Sequence, residues 1–585
     1  MLRRTASLFV FTTLAFAPAA LAQSGSDEFF RAYYLEHEAG DAQAAIELYR
    51  RVANSRSAPS ELVEQAKRAV RRLGEDLAAS DLAALVPPET IVYAELNRPG
   101  EHLSSLFDQL GILGEKGVVE PGRFAVSPYL LEGALGLRGA AVAITALDEN
   151  AEPKRGVAIL HPGHQDILRG MVDTALPAAG KPIQAIRGRA AWNVDDEMIV
   201  ALGARLIVLG TDRNSVESVF SRLDGEAMSS LAQSTPMRET LGGHAMLGVY
   251  VQAEPIRPML RMAAQEAIRN DPEAATAFEL FDIESLESLS GCIAVEDNGL
   301  ELDVSLQLVE GHKNLAFNLL RLPSVREKTL EMVPEGAAFF LSAALNRHAP
   351  VVSGMENEAG EPIVTFMDFG REVFANVVDI SVFGLPPVEG EQATPIPAIA
   401  GIVRANDVER SKALWNFVLG LASQASGGGS MTPAHETIAG MPADRYSIEG
   451  LPMYLVALEH GLLVSPNRSA IERVIASHRS GRSVMDDPAF KESLGTLTGS
   501  DTMVLVANPG RCAELALPMI PNDEAAEVQM MAQILSHTTI SVGIEHSANR
   551  LSLRARVLDV PDISRLVLQA TGNGGGASSQ LTGAR

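Results

Sequence analysis

One run of sequence features occurs twice in this chain, and this repetition constrains the fold more than any other feature. Residues 86–98 pass from Val-Pro-Pro through an apolar segment to Leu-Asn-Arg. Residues 333–347 pass from Val-Pro-Glu-Gly through a second apolar segment and again end in Leu-Asn-Arg. In both runs a turn leads into a strand-like segment and then towards a helix. The repetition therefore predicts two lobes that are built from the same order of elements.

Further matches follow in the same order along both halves of the chain. They pair residues 206–209 with 461–464, 236–242 with 488–495, 249–251 with 504–506, and a closing hairpin at 293–306 with one at 540–557. A single match of this kind could arise by chance, but an ordered series at nearly constant separation indicates a duplication. The duplication constrains architecture strongly and chemistry hardly at all.

Neighbouring strands with helices between them indicate the fold class. In the first closing hairpin, Asn298-Gly299 separates two alternating apolar runs, which is the strongest short-range signal for a β-hairpin. The strict strand–helix alternation of a doubly wound fold is missing. We therefore predict an α+β fold of two tandem homologous lobes, with largely antiparallel sheets and covering helices, preceded by a small all-α segment.

The domain assignment follows from these patterns. We predict a signal peptide at 1–22, a helical segment at 23–83, a first α+β copy with a trailing helix at 84–331, a second copy with a trailing helix at 332–571, and a disordered Gly- and Ser-rich tail at 572–585.

The start of the chain is typical of a secretory signal peptide. A basic pair, Arg3-Arg4, precedes a short apolar stretch, and Ala20-Leu21-Ala22 forms a small-x-small cleavage site. The stretch is shorter than the roughly 20 residues that a spanning helix needs, and no later segment is apolar for long enough. We therefore expect an exported protein, periplasmic or extracellular, without a membrane span in the mature chain.

The net charge limits the classes of partner. The formal charge is -25 at pH 7 and is spread along the chain rather than gathered in blocks. Binding to a nucleic-acid backbone requires clustered Lys and Arg, so we predict no nucleic-acid partner. A protein or peptide partner remains open, and the sequence does not indicate an oligomeric state.

The two cysteines, Cys292 and Cys512, lie one in each predicted copy. In an oxidising compartment they could form a bridge between the copies. Neither has a cysteine at the matching position of the other copy, which favours two separate thiols that behave as small hydrophobic residues.

The helical segment before the first copy resembles a tetratricopeptide repeat. The resemblance rests on Tyr34, the turn 40–42, the run Ala44-Ala45-Ile46 and Tyr49. In that family small residues let two helices pack closely, and stacked units form a peptide-binding groove. One unit is visible in this chain, so a helical cap on the following domain is the alternative interpretation.

A histidine-containing turn after a predicted strand is the most suggestive cluster for chemistry. His161, His164 and Asp166 lie within six residues and could approach a divalent metal. The second copy has Arg404 and Asn406 there and keeps only an acidic residue. A turn with polar capping residues explains both copies, and we predict no metal site, no cofactor and no catalytic residue.

The repeated Leu-Asn-Arg segments supply the candidate ligand or partner contacts. Asn97 and Arg98 in the first copy, and Asn346 and Arg347 in the second, could bind a carboxylate through Arg and add an amide contact through Asn. The alternative, which the position before a helix favours, is that Asn caps the helix and Arg is solvated.

The Pro-rich entry, the Leu-Asn-Arg segments and the ordered meanders resemble exported bacterial proteins with a domain of unknown function. The likeness spans about 84–560 and implies no reaction and no catalytic residue. Our leading hypothesis is a non-catalytic exported protein that binds a partner or scaffolds an envelope process. The alternative is a periplasmic or secreted hydrolase with a dispersed active site, in which acidic and His or Ser side chains converge in one copy only.

Overall fold

The computed structural model describes residues 26–560 with gaps. The longer gaps are 110–135 and 346–375, and the shorter ones are 40, 57, 79–80, 149–151, 164–165, 195–197, 227–228, 235–236, 238–244, 272–274, 276–277, 279–280, 297, 320–321, 326, 389–395, 427–429, 497–500 and 522. The predicted signal peptide, the second trailing helix and the predicted tail lie outside the described residues.

Three helices open the described chain: α1 at 26–37, α2 at Ala42–Ala53 and α3 at Ser60–Ala78. The carboxylate of Asp41 accepts a hydrogen bond of 2.9 Å from the backbone N–H of Ala44 and so caps α2. The buried residues recur at helical spacing on each helix, with Tyr49 on α2 and Leu73 on α3 among them. The helices therefore pack through one apolar stripe each and leave their charged faces outside.

The described residues form two compact units. One holds the described residues of Met1–Ser104 and Pro121–Ile256, and the other holds those of Ser105–Glu120 and Arg257–Arg585. We call them unit 1 and unit 2. Unit 2 begins before the second repeat, because it includes the hairpin that closes the first one.

After α3 the described chain of unit 1 continues with groups of consecutive strands separated by helices. The elements are β1 Val92–Asn97, α4 Pro99–Gln109 (whose last residues belong to unit 2), β2 Gly139–Leu147, β3 Pro153–His161, α5 Asp166–Ala179, β4 Gly180–Ile186, β5 Arg189–Val194, β6 Met198–Leu202, β7 Ile207–Gly210, α6 Arg213–Leu223 and β8 Ala245–Gln252. Strand β1 pairs with β2 and β8, β3 pairs with β2 and β7, and β4 to β7 form a meander.

Unit 2 continues with the remaining elements. They are α7 Arg257–Asn270, β9 Leu286–Glu296, β10 Gly299–Leu308, α8 Leu315–Leu319, α9 Glu327–Leu330, β11 Phe339–Ala344, β12 Val377–Gly384, β13 Ile399–Ala405, α10 Val408–Ala425, β14 Ala434–Ile438, β15 Met441–Ile448, β16 Leu451–Leu458, β17 Gly461–Ser465, α11 Arg468–Ser480, α12 Pro488–Thr496, β18 Asp501–Ala507, α13 Pro509–Ala516, α14 Ala525–Ile534, β19 Thr539–His546 and β20 Arg550–Leu558.

The pairing in unit 2 follows the same order as in unit 1. Strand β11 pairs with β12 and β18, β13 pairs with β12 and β17, and β14 to β17 form a meander. The sheet then runs through β18, β19, β20, β10 and β9, so the two closing hairpins pair with each other. All these pairings are antiparallel, and the predicted α+β class with an N-terminal helical segment is confirmed.

Local sequence explains why these elements form. Leu300, Leu302, Val304 and Leu306 alternate along β10, and the predicted hairpin turn lies between Glu296 and Gly299. Each meander packs against a helix whose apolar stripe is fully buried; Phe220 of α6 is one example. In the part of the chain that the structure describes, no helix is both long enough and apolar enough to cross a bilayer.

Candidate functional site

The first Leu-Asn-Arg segment lies where β1 ends. Asn97 is buried, and its Oδ1 accepts no hydrogen bond from any described residue. Arg98 has a φ of 41°, a left-handed conformation that is uncommon outside glycine. Its backbone N–H donates to the carbonyl of Arg138 at 2.9 Å, and its side chain lies 3.6 Å from the carboxylate of Glu101. This segment is thus a tight strand-to-helix turn, in which Asn97 is buried.

The second Leu-Asn-Arg segment is only partly described, since Asn346 and Arg347 lie outside the described residues. In unit 1, Asn97 is opposite Gly139, and in unit 2, Ala344 at the end of β11 is opposite Asp379. The structure therefore places only the first Asn-Arg pair.

His161, from the histidine-containing turn, is buried and paired within unit 1. Its Nε2 lies 3.1 Å from the carboxylate of Asp76 on α3, and its Nδ1 accepts a hydrogen bond of 3.1 Å from the N–H of Gly163. Because Nδ1 is an acceptor, Nε2 carries the proton that is donated to Asp76. His164 lies outside the described residues, and within the described part no three His, Cys, Asp or Glu residues are grouped to hold a metal.

The last turn of α3 carries two adjacent carboxylates that accept hydrogen bonds from the strand region of unit 1. Glu75 is fully buried and accepts hydrogen bonds from the backbone N–H groups of Ala204, Arg205 and Leu206. Burial alone would raise the pKa of Asp76, but the hydrogen bond from His161 and the charge of Arg205 outweigh it, so this pKa is lowered. Asp76 is therefore held in the charged form that its donor requires.

Beside this contact lies a cleft of about 610 Å³. Five arginines line it, with Glu64 at its edge, and we call it the arginine cleft: Arg68, Arg71, Arg72, Arg189 and Arg205. Three of these arginines come from α3, one from the start of β5 and one from the turn between β6 and β7. The volume suits a small ligand or a few residues of a peptide.

Three of the five guanidinium groups already contact carboxylates. Arg72 pairs with Glu36, Arg205 lies 3.9 Å from Asp76, and Arg189 donates to both oxygens of Asp224 at 2.9 and 3.1 Å. These pairs fix the positions of the arginines at the base of the cleft.

Arg189 retains one unsatisfied donor. Its side chain is 5% exposed, and its guanidinium carbon lies 4.3 Å from the centre of the Phe220 ring. Its Nε donates to no described residue. A buried N–H without an acceptor is costly, so a ligand oxygen that reached it would be bound favourably.

The remaining two arginines, Arg68 and Arg71, are exposed, and neither forms an ion pair with a described residue. Their field acts on the edge of the cleft. The pKa of Glu64 is lowered, mainly by its hydrogen bond with Lys67 and that residue's charge, and the charges of Arg68 and Arg71 act in the same direction. The electrostatic potential at the mouth of the arginine cleft is therefore positive.

Guanidinium groups determine what such a cleft can do chemically. Each presents several N–H donors in a planar fork that matches carboxylate and phosphate oxygens, and each stays charged at every physiological pH. They can hold and orient an anionic group, but they do not exchange protons or attack a substrate. The arrangement is suited to binding.

Sequence reasoning missed the arginine cleft, although part of it had a local signal. Arg68, Arg71 and Arg72 follow the i, i+3, i+4 spacing that places side chains on one face of a helix. Arg189 and Arg205 lie more than a hundred residues later, and nothing in their own neighbourhood links them to α3.

A second cleft, of about 730 Å³, lies in unit 2. Residues that line it include Lys328, Arg404, His460, His478, Ser483 and Asp486, and we call it the second cleft. The Nε of Arg404 donates to both carboxylate oxygens of Asp379 at 2.9 Å, and its Nη2 reaches Thr329 at 3.3 Å. The cleft therefore has one fixed cation and mixed charges around it.

Cys292 and Cys512 are free thiols in the structure. Burial, with the charge of Asp303, raises the pKa of the Cys292 thiol to about 11, and burial also raises the pKa of the Cys512 thiol. Neither is an activated nucleophile, because activation requires a lowered pKa.

Comparisons with known proteins give limited information. No family model matches the sequence, and no curated protein is significantly similar to it. The crystal form III structure of TP0453 is 12% identical, with a TM-score of 0.25, over 41% of this chain and 84% of that chain. The crystal form IV structure is 8% identical, with a TM-score of 0.23, over 38% and 79%. Similarity at these scores indicates neither a fold nor a function for this chain.

Proposed function

We propose that this chain is an exported, non-catalytic protein that binds a protein or peptide partner, or scaffolds an envelope process, by holding a carboxylate of the partner in the arginine cleft. One observation carries the proposal: Arg68 and Arg71 lie exposed at the cleft, and among the described residues neither has a carboxylate partner. Export follows from the predicted signal peptide.

The charge of the whole chain strengthens this interpretation. With a formal net charge of -25, most of the surface repels anions. Five arginines around one cleft are a local exception to that field. A partner that carries one acidic segment would be repelled elsewhere and attracted there, so the cleft would also fix the orientation of the partner.

The test is binding of a short labelled Glu-Ala repeat peptide, compared with its Gln-Ala counterpart, by fluorescence anisotropy at low and high salt. We expect the acidic peptide to bind and the amide peptide not to bind. Arg68→Glu/Arg71→Glu should weaken binding about tenfold or more, because each lost charged hydrogen bond counts strongly. Binding should also fall with added salt.

A matched control is Lys154→Glu/Lys181→Glu, which makes the same change in net charge at two exposed positions of unit 1 that do not line the cleft. It should bind the acidic peptide like the unmodified protein. Equal loss of binding in both double variants, or equal binding of the acidic and amide peptides, would contradict the proposal.

The hydrolase remains the second candidate because His460, His478, Ser483 and Asp486 line the same cleft of unit 2. The hydrogen bonds around Ser483 favour a binding protein over a hydrolase, however. The Ser483 hydroxyl is buried and accepts a hydrogen bond of 3.2 Å from the N–H of Met485. Neither histidine is hydrogen-bonded to Ser483 within the described residues, whereas an activated serine needs an adjacent base.

Labelling of the purified protein with a fluorophosphonate probe separates the two candidates. We expect no labelling above that of Ser483→Ala. Labelling that depends on both Ser483 and His460 would favour the hydrolase over the binding protein.

A further inference from the structure

The two units carry the same strand connectivity but differ at one end of their sheets. Leu160 is opposite Ile207 in unit 1, and Val403 is opposite Leu462 in unit 2. Since residues 206–209 match 461–464 in the repeated sequence, these two pairs correspond. The next residue along each strand is His161 in unit 1 and Arg404 in unit 2, so His161 and Arg404 occupy matching positions.

In unit 1 this end of the sheet is covered by the end of α3. Asp76 pairs with His161, and the carboxylate of Glu75 accepts three backbone N–H groups from the turn between β6 and β7. His161 is 1% exposed and Glu75 is fully buried. A helix end with two adjacent carboxylates is thus the element that satisfies the donors of this sheet end.

In unit 2 the matching end opens into the second cleft. Arg404 is held by Asp379 and Thr329 through its Nε and Nη2, while its Nη1 donates to none of the described residues. His460 lies in the turn between β16 and β17 and matches Arg205 in the repeated sequence. Lys328 is exposed at the same cleft and forms no ion pair within the described part of the chain.

We propose that the second cleft receives a carboxylate-bearing helix end from a partner protein, in the way that unit 1 receives the end of α3. The Nη1 of Arg404, which donates to none of the described residues, corresponds to the donor that His161 offers to Asp76. His460 supplies a ring N–H donor, and Lys328 supplies a second cation. In α3, Arg71 and Arg72 precede Glu75. If basic residues precede the carboxylates of the partner helix in the same way, Glu331 and Asp486 at the second cleft would accept hydrogen bonds from them. This site is independent of the arginine cleft.

The chain itself supplies the probe. A labelled peptide with the sequence of α3, Ser60–Ala78, is titrated with the full-length protein that carries Arg68→Glu/Arg71→Glu, so that the arginine cleft does not contribute. The comparison peptide carries Glu75→Gln/Asp76→Asn. We expect the unmodified peptide to bind and the substituted peptide to bind about tenfold or more weakly, because the charged hydrogen bonds are lost.

Two further variants locate the binding. Lys328→Glu/His460→Glu, added to the same protein, should weaken binding of the unmodified peptide by a similar factor. The matched control, Lys313→Glu/His537→Glu, changes two exposed residues of unit 2 that do not line the cleft and should leave binding unchanged. Absence of binding, equal binding of the two peptides, or equal effects of the two pairs of substitutions would overturn the proposal. If the unmodified peptide binds only when Arg68 and Arg71 are intact, the second cleft is excluded while the function proposed for the arginine cleft stands.

Discussion

The backbone N–H of Leu206 donates a hydrogen bond of 2.8 Å to the carboxylate of Glu75, a residue 131 positions earlier in the chain. Ala204 and Arg205 donate to the same carboxylate. Backbone N–H groups in a turn have few other acceptors, so this one side chain satisfies most of the turn and binds α3 to the meander of unit 1. Helix α3 is therefore anchored to the meander of unit 1 by charged hydrogen bonds as well as by apolar packing.

Glu75→Gln should destabilise the protein by about 2 kcal/mol, because a neutral amide oxygen is a weaker acceptor for three N–H groups than a carboxylate and the amide brings donors into a buried site. The measurement is urea unfolding followed by circular dichroism. Glu47→Gln, on the exposed face of α2, is the control and should leave the unfolding midpoint unchanged. Identical midpoints for the two variants would show that the anchor contributes nothing.

Glu95 lies on β1 two residues after Tyr93, whose hydroxyl donates to its carboxylate. Burial raises the pKa of Glu95 to about 7, the hydrogen bond from Tyr93 opposes this shift, and the charge of Asp81 adds to it. The folded protein therefore binds a proton at Glu95 at pH values where the unfolded chain, with an ordinary Glu pKa, has released it.

The raised pKa of Glu95 makes the folded protein less stable as the pH rises. The stabilisation from protonated Glu95 is complete below the ordinary Glu pKa of about 4.3 and is lost as the pH rises towards 7, a change of about 4 kcal/mol at most. Glu95→Gln should remove this decline, so its stability relative to the unmodified protein should increase between pH 5 and 7. Chemical unfolding at a series of pH values measures the difference, and parallel curves for the two proteins would refute the shifted pKa.

Much of the fold could be predicted because its signals are local. The closing hairpin is predicted from about a dozen residues, namely the turn and the alternating Leu300, Leu302, Val304 and Leu306. Both strands of this hairpin are present in the structure. The helical spacing of Leu62, Ala66, Val70 and Leu73 predicts α3. Its last turn extends beyond that apolar stripe because Glu75 binds the meander and Asp76 binds His161 on β3.

The candidate site could not be predicted, because its parts meet only through tertiary structure. Arg189 begins a strand and Arg205 lies in a turn, and neither position has a motif that points to α3. The repeated Leu-Asn-Arg segments are similar in sequence, but only the first is described in full, because Asn346 and Arg347 lie outside the described residues.

Both thiols should react slowly in the folded protein. With a pKa of about 11, Cys292 has very little thiolate at pH 8, and we expect its reaction with a disulfide reagent to be about 100-fold slower than that of an ordinary exposed thiol. Ser480→Cys, at the exposed end of α11, supplies that reference in the same molecule. In urea all three thiols should react at similar rates, and rapid labelling of Cys292 without urea would contradict its burial.

Asn508 directly precedes α13, and Asn97 ends β1 two residues before α4; both helices begin with a proline, yet the contacts of the two asparagines differ. The Oδ1 of Asn508 accepts a hydrogen bond of 2.9 Å from the N–H of Arg511, and its Nδ2 donates to the carbonyl of Ser536 at 2.8 Å. The Oδ1 of Asn97 accepts none from the described residues. Only the asparagine of unit 2 therefore acts as the helix cap that this sequence position favours.

Asn508→Ala should therefore cost about 2 kcal/mol, since it removes a cap and leaves the carbonyl of Ser536 without its donor. Asn97→Ala should cost less than about 1 kcal/mol, because no hydrogen bond to its Oδ1 is lost and the buried oxygen itself is costly. The two variants provide controls for each other in the same urea titration. A larger loss for Asn97→Ala than for Asn508→Ala would mean that Asn97 has a role that its contacts in β1 do not explain, and would return the first Leu-Asn-Arg segment to consideration as a binding site.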